Sequence, residues 1–104
     1  MKTSELTEAA LDWAVAQCEY GDVRYGIDDN CPEYSTDWAQ GGPIIEREGI
    51  QLARLEDVWE AWVDADGVFC QGRTPLIAAM RCYVASVVGD EVDVPEDMAF
   101  QENV

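Results

Sequence analysis

Few side chains in this chain of 104 residues can do chemistry by themselves, because it contains no histidine. Without histidine there is no Ser-His or Cys-His nucleophile pair and no imidazole general base. The four cysteines form no Cys-x-x-Cys pair, so a zinc site is not expected either. Carboxylates remain, but among 22 acids some pair always looks suggestive. We therefore predict a binding protein that is not an enzyme and uses no metal ion or cofactor.

A glycine-rich segment is the first candidate for a binding site. Gly41-Gly42-Pro43 precedes a predicted helix, and glycine lets the backbone approach a ligand closely. The free N–H groups at a helix N-terminus favour an anion. Trp38 lies three residues upstream of Gly41 and can stack on a planar ring. The alternative is that the glycines only make a tight turn and that Trp38 belongs to the core.

The rare basic residues indicate the same chemistry. Thr74 is the predicted N-cap of a second helix, and Arg73 precedes it in the chain. The start of this helix is therefore also suited to an anion. Arg81 lies at the edge of the apolar stripe of that helix, where its guanidinium reaches either a carboxylate or an anionic ligand. If these groups converge, they form a polar-aromatic pocket for a small anionic, nucleotide-like ligand. The candidate residues of this pocket are Trp38, Gly41, Gly42, Arg47, Thr74 and Arg81.

The net charge of −16 limits the partners of this chain. A surface with 22 acids and six bases repels nucleic acid and anionic membranes, so direct binding to either is not expected. No apolar run approaches membrane-spanning length, and residues 1–18 do not have the composition of a signal peptide, so we expect a cytoplasmic protein. The acidity also supports a second hypothesis, an acidic inhibitor that binds another protein as a nucleic-acid mimic. The carboxylates expected to carry it are Asp28, Asp29, Asp64, Asp66, Asp90, Glu91 and Asp93.

Apolar periodicity and its interruptions predict the helices. Ser35 or Thr36 is expected to cap a brief helical turn that contains Trp38, and Gly41-Gly42 is expected to break it. The predicted helices are Thr7–Glu19, with Thr7 as N-cap, a short helix that begins at Pro43 and ends just before Gly49, and a helix that begins at Pro75 and stops at Gly89.

Alternating segments predict the strands, which are Asp22–Ile27, Ile50–Leu55, Val58–Val63 and Val68–Gln71, with a further candidate at Val92 and Val94. The last two of the four form an antiparallel hairpin. Trp59 and Trp62 point to opposite faces, so one joins the core and the other faces outward, where it offers an interface for a homo-oligomer. The prediction is one α+β domain over residues 1–104, with a small, mostly antiparallel sheet of three or four strands, two main helices on one face and a frayed acidic tail at 96–104.

Three long segments resemble a known family. Residues 1–16, 34–46 and 74–86, which contain Tyr-Ser-Thr-Asp-Trp and Thr-Pro-Leu-Ile-Ala-Ala-Met-Arg, are similar to the NinX-like family of small proteins from lambda-like phages. The resemblance implies a phage accessory protein in the cytoplasm of the host cell, with a host-interacting or counter-defence role. Our leading hypothesis is therefore a non-enzymatic accessory protein that binds a small anionic ligand. The alternative is an acidic inhibitor of a host factor.

Overall fold

A computed structural model describes residues 2–6, 8–21, 31–63 and 67–92. A short 3₁₀ turn, Thr3–Glu5, precedes the longer elements. The helices are α1 (Glu8–Tyr20), α2 (Trp38–Glu48) and α3 (Pro75–Val88), and the strands are β1 (Gln51–Leu55), β2 (Val58–Val63) and β3 (Val68–Gly72). Helices and a small antiparallel sheet confirm the predicted α+β class. None of the described helices has the length and apolar character that crossing a membrane requires.

The three strands form an antiparallel sheet in the order β1-β2-β3, as their alternation predicts. Ala61 on β2 is fully buried, and its register partners Leu52 and Cys70 share its inner face. Trp59 packs against the core from this face. Trp62 lies on the outer face, so the prediction that the two tryptophans point to opposite faces is confirmed.

The central helix is α3, which packs on the sheet while α1 and α2 pack against it. The Oγ1 of Thr74 accepts a hydrogen bond from the N–H of Ile77 at 3.1 Å, and Pro75 occupies the first helical position. Gly89 ends the helix with a φ of 92°. The predicted cap, start and end of this helix are therefore confirmed.

The predicted break in α2 is wrong, because the helix runs through Gly41-Gly42 and Pro43 without interruption. The backbone at Gly41 lies against Tyr34 and against Leu76 of α3, closer than a residue with a side chain could approach. Packing on α3 therefore offsets the low helix propensity of two glycines and a proline.

The cap of α2 also differs from the prediction. The Oδ1 of Asp37 accepts a hydrogen bond from the N–H of Ala39 at 3.0 Å, so Asp37 is the N-cap instead of Ser35 or Thr36. Gly49, in the left-handed region with a φ of 68°, ends the helix as expected.

Several predicted features lie outside the described residues, namely the cap at Thr7, the strand Asp22–Ile27, Val94 of the last strand candidate and the tail at 96–104. The described C-terminal residues return to the start of the chain, where Lys2 and Glu91 form an isolated antiparallel bridge. The Oγ1 of Thr3 donates to the carbonyl of Gly89 at 2.7 Å. These contacts hold the 3₁₀ turn beside the end of α3.

Candidate functional site

Two backbone carbonyls hold Arg81 in place. Its Nε donates to the carbonyl of Leu6 and its Nη1 to the carbonyl of Gln71, each at 2.7 Å. Leu6 precedes α1, and Gln71 lies on the edge strand β3. The side chain therefore ties the N-terminal segment to the sheet, and its guanidinium has a fixed orientation.

A cavity of about 500 Å³ lies beside Arg81, at the β3 edge of the sheet. Arg73 also lines it, so two of the six basic residues in the chain face one cavity, together with the carboxylate-bearing Glu60. We call it the β3 cavity. Its lining residues are Ser4, Val58, Glu60, Phe69, Cys70, Gln71, Gly72, Arg73 and Arg81.

The backbone of β3 comes very close to α3 at one end of this cavity. A Cβ atom on Gly72 would lie 2.6 Å from the backbone nitrogen of Ala78 and 2.8 Å from the Cγ2 of Ile77. Glycine is needed for this approach, which sets the position of the neighbouring Arg73. Burial raises the pKa of the Cys70 thiol, and the nearby Arg81 lowers this pKa to a smaller extent. The thiol is therefore mainly protonated at neutral pH.

Arg47 has a different environment. Its Nη1 and Nη2 donate to the Glu19 carboxylate at 3.0 and 2.6 Å, and its Nε donates to Glu48 at 2.7 Å. The guanidinium lies 5.6 Å from the centroid of the Tyr83 ring, and the Tyr83 hydroxyl donates to Glu19 at 2.6 Å. The hydrogen bond from Arg47 holds the pKa of Glu19 below its usual range. This cluster joins α1, α2 and α3, and the charge of Arg47 is paired within the fold.

Trp38 and Thr74 lie together at a second, smaller cavity of about 200 Å³. The Oγ1 of Thr74 already accepts the N–H of Ile77. Gly41-Gly42 lies within α2, so these two residues leave no free N–H groups at a helix start. This Trp38 cleft offers an aromatic wall but no charged lining side chain among the described residues. It is lined by Ser35, Thr36, Trp38, Thr74, Pro75, Leu76 and Ile77.

The six predicted site residues therefore do not form a single pocket. Arg47 covers the ring of Tyr83, which lies two residues after Arg81 on α3, so the side chains of Arg81 and Tyr83 point about 160° apart around the helix axis. Arg81 faces the β3 cavity, whereas Arg47 belongs to the cluster with Glu19.

Phe69, Glu60 and Gln71 line the β3 cavity but are not among the residues predicted from the sequence. The predicted hairpin of β2 and β3 could have indicated these three residues. Its antiparallel register places Phe69 opposite Trp62 and Gln71 opposite Glu60, all on the face away from Ala61. Of the residues that line this cavity, Arg81 is one of the six candidate pocket residues, and Arg73 is the cation that the sequence places beside the helix N-terminus at Thr74.

A protein-family model described as Bacteriophage P22, NinX matches residues 25–87, well over half of the chain. No curated protein matches the sequence. The matched range contains Arg73 and Arg81, whereas Ser4 and Leu6 lie before it. Within the described residues, no group of three histidine, cysteine or carboxylate side chains is placed to hold a metal ion.

Proposed function

Because the chain belongs to the NinX family of bacteriophage proteins, we propose that it is a phage accessory protein that binds a small anionic ligand in the β3 cavity. The observation that supports this proposal is the presence of Arg73 and Arg81 on one cavity, in a chain with six bases and 22 acids. Guanidinium groups in a concave site attract an anion locally even where the whole chain repels one.

The lining of the β3 cavity favours an anion that also carries a planar ring. The guanidinium of Arg73 offers donors for a phosphate or a carboxylate, and Arg81 adds positive charge to the same cavity. Phe69 is 62% exposed, and its ring can stack on a base. A volume of about 500 Å³ is within the range of small-molecule sites. A nucleotide-derived molecule combines these features.

Binding alone is the activity that we propose. The absence of histidine and the protonated thiol of Cys70 leave the β3 cavity without an imidazole base or a thiolate nucleophile. In this proposal the protein acts in the cytoplasm of the host cell and sequesters a nucleotide-derived signal, a counter-defence role that needs no cofactor.

Isothermal titration calorimetry with AMP and with inorganic phosphate tests the proposal. Arg73→Ala is the informative variant, because Arg81 also holds backbone carbonyls and its loss would disturb the fold. We expect this variant to bind AMP at least about tenfold more weakly than the wild type. Arg54→Ala is the matched control, since Arg54 is an exposed arginine that does not line the β3 cavity. Equal losses in both variants, or no binding to the wild type at about 1 mM AMP, would contradict the proposal.

An acidic inhibitor of a host protein is the second candidate function, and exposed carboxylates favour it. Asp90 and Glu91 are exposed, as this function requires. The other acids predicted for such a surface, Asp28, Asp29, Asp64, Asp66 and Asp93, lie outside the described residues. This function predicts that affinity for a basic host protein falls steeply with added salt and with joint charge reversal of Asp90 and Glu91. Affinity that is insensitive to both changes would exclude it.

A further inference from the structure

Among the described residues, no helix packs on the outer face of the sheet. The helix α3 packs on the opposite face, where Ala61 is fully buried. Side chains alternate along a strand, so the residues on either side of Ala61 on β2 point outward. Phe69 on the same outer face is 62% exposed. The outward residues are Gln51, Ala53 and Leu55 on β1, Val58, Glu60 and Trp62 on β2, and Phe69 and Gln71 on β3.

One carboxylate divides the outer face into two apolar patches. Trp62 and Phe69 are register partners with stacked rings, whose centroids are 6.3 Å apart. Leu55 and Val58 are register partners at the opposite end of the face. Glu60 lies between the two patches on the central strand. Covering Glu60 without a cation would leave a buried, unpaired charge, so a partner of this face needs a cation between two apolar groups.

A second copy of this chain meets that condition poorly. Two copies packed face to face about a twofold axis through the centre of the face bring their Glu60 residues together without a cation. The two chains also repel each other, since each has a net charge of −16. The face is small as well. It measures about 17 by 10 Å, whereas each partner in a stable interface buries roughly 800 Å².

These dimensions suit a single α-helix, whose diameter with side chains is about 10–12 Å. Outward residues on one strand are about 6.8 Å apart, and positions i and i+4 of a helix are about 6 Å apart. A helix aligned with β2 therefore places positions i, i+4 and i+8 over Trp62, Glu60 and Val58. We propose that the outer face docks an amphipathic helix of another protein that carries a cationic residue between two apolar ones. This docking requires no anion at Arg73 and so goes beyond the proposed function.

Two synthetic peptides of identical composition and charge test the proposal by fluorescence anisotropy. Both are about 16 residues long, rich in alanine and stapled so that they are helical in solution. The first has Leu, Arg and Leu at positions i, i+4 and i+8, and in the second the Arg is moved to the opposite side of the helix. We expect the wild type to bind the first peptide at least about tenfold more tightly than the second. Equal affinities, or no binding of the first peptide at about 1 mM, would overturn the proposal.

Two carboxylate variants separate the role of Glu60 from that of the overall charge. Glu60→Gln keeps the size of the side chain and should bind the two peptides equally, because no carboxylate then meets the Arg. Glu56→Gln removes an exposed carboxylate that does not lie on the outer face, and as the matched control it should keep the preference. A preference that survives Glu60→Gln would contradict the proposal.

Phe69→Ser tests the apolar part of the outer face. It should weaken binding of the first peptide at least about fivefold, and it should fold normally because the ring is largely exposed. Sedimentation equilibrium of the protein without peptide tests the other occupant, and we expect a monomer. A wild-type dimer that Phe69→Ser dissociates would show that a second copy covers the face, and it would overturn the proposal.

Discussion

Gly41 and Gly42 are neighbours in α2 but have different surroundings. A Cβ atom on Gly41 would lie 2.5 Å from the carbonyl oxygen of Tyr34 and 2.6 Å from the Cδ2 of Leu76, whereas the nearest atom to one on Gly42 is the Cε3 of Trp38 at 3.9 Å. We expect Gly41→Ala to reduce the free energy of unfolding by about 2–3 kcal/mol through overpacking. Gly42→Ala should increase it by about 0.5–1 kcal/mol through helix propensity. Urea unfolding measures both, and changes of the same sign would contradict the close packing of α2 on α3.

Glu19 makes the stability of the fold depend on pH. Its pKa is lower in the folded chain, chiefly because Arg47 donates to its carboxylate, so its contribution is present above the unfolded pKa and is lost as pH falls through the folded pKa. Arg47 is half exposed, and solvent screening limits this contribution to about 0.5–1 kcal/mol. Glu19→Gln should therefore be less stable than the wild type by that amount at about pH 7 and should approach it near pH 3.

Thermal unfolding over a pH series measures the effect of Glu19→Gln. Glu46→Gln changes an exposed carboxylate on α2 and serves as the control for the loss of one negative charge. A difference between Glu19→Gln and the wild type that stays constant from neutral to acid pH would show that the carboxylate is not stabilised by Arg47.

At the scale of elements, the N-cap of α2 is Asp37, whereas the sequence predicted Ser35 or Thr36. The side chain of Asp37 accepts the N–H of Ala39, whereas Thr36 is exposed and lies outside the helix. Asp37→Ala should destabilise the protein by about 1 kcal/mol, because a free N–H at the helix start loses its acceptor. Thr36→Ala should change stability by no more than about 0.5 kcal/mol. Chemical unfolding of the two variants checks this, and a larger loss for Thr36→Ala would restore the cap predicted from the sequence.

At the scale of the whole molecule, charge repulsion works against folding. With a net charge of −16, the folded chain brings many like charges close together, and salt screens them. We expect the Tm to rise by about 5 °C between roughly 10 and 150 mM NaCl, which corresponds to about 1 kcal/mol. Screening also weakens the ion pair between Glu19 and Arg47, but that loss is smaller than the gain. Calorimetric scans in NaCl and KCl at equal ionic strength measure the effect. A Tm that falls with salt in both would show that attractive pairs outweigh the repulsion.

The sequence by itself determined the features that depend on residues close together in the chain. Thr74, Pro75 and Gly89 define the start and end of α3 through capping, proline geometry and a positive φ, all of which are local. Alternation and turn residues likewise determined the hairpin of β2 and β3, and its register fixes which side chains face outward. The α+β class follows from these elements, and the family was recognisable from long local motifs.

The tertiary structure decided what depends on residues far apart in the chain. α2 continues through Gly41 because α3 supplies the packing that the local sequence lacks, and a local pattern contains no record of that neighbour. The sequence does not indicate which acceptor each arginine reaches, whereas in the folded chain Arg47 pairs with Glu19 and Arg81 with the carbonyl of Leu6, 75 residues away. Which acceptor a long, charged side chain reaches depends on how the helices and the sheet pack together. The position of the β3 cavity could therefore be known only from the folded chain.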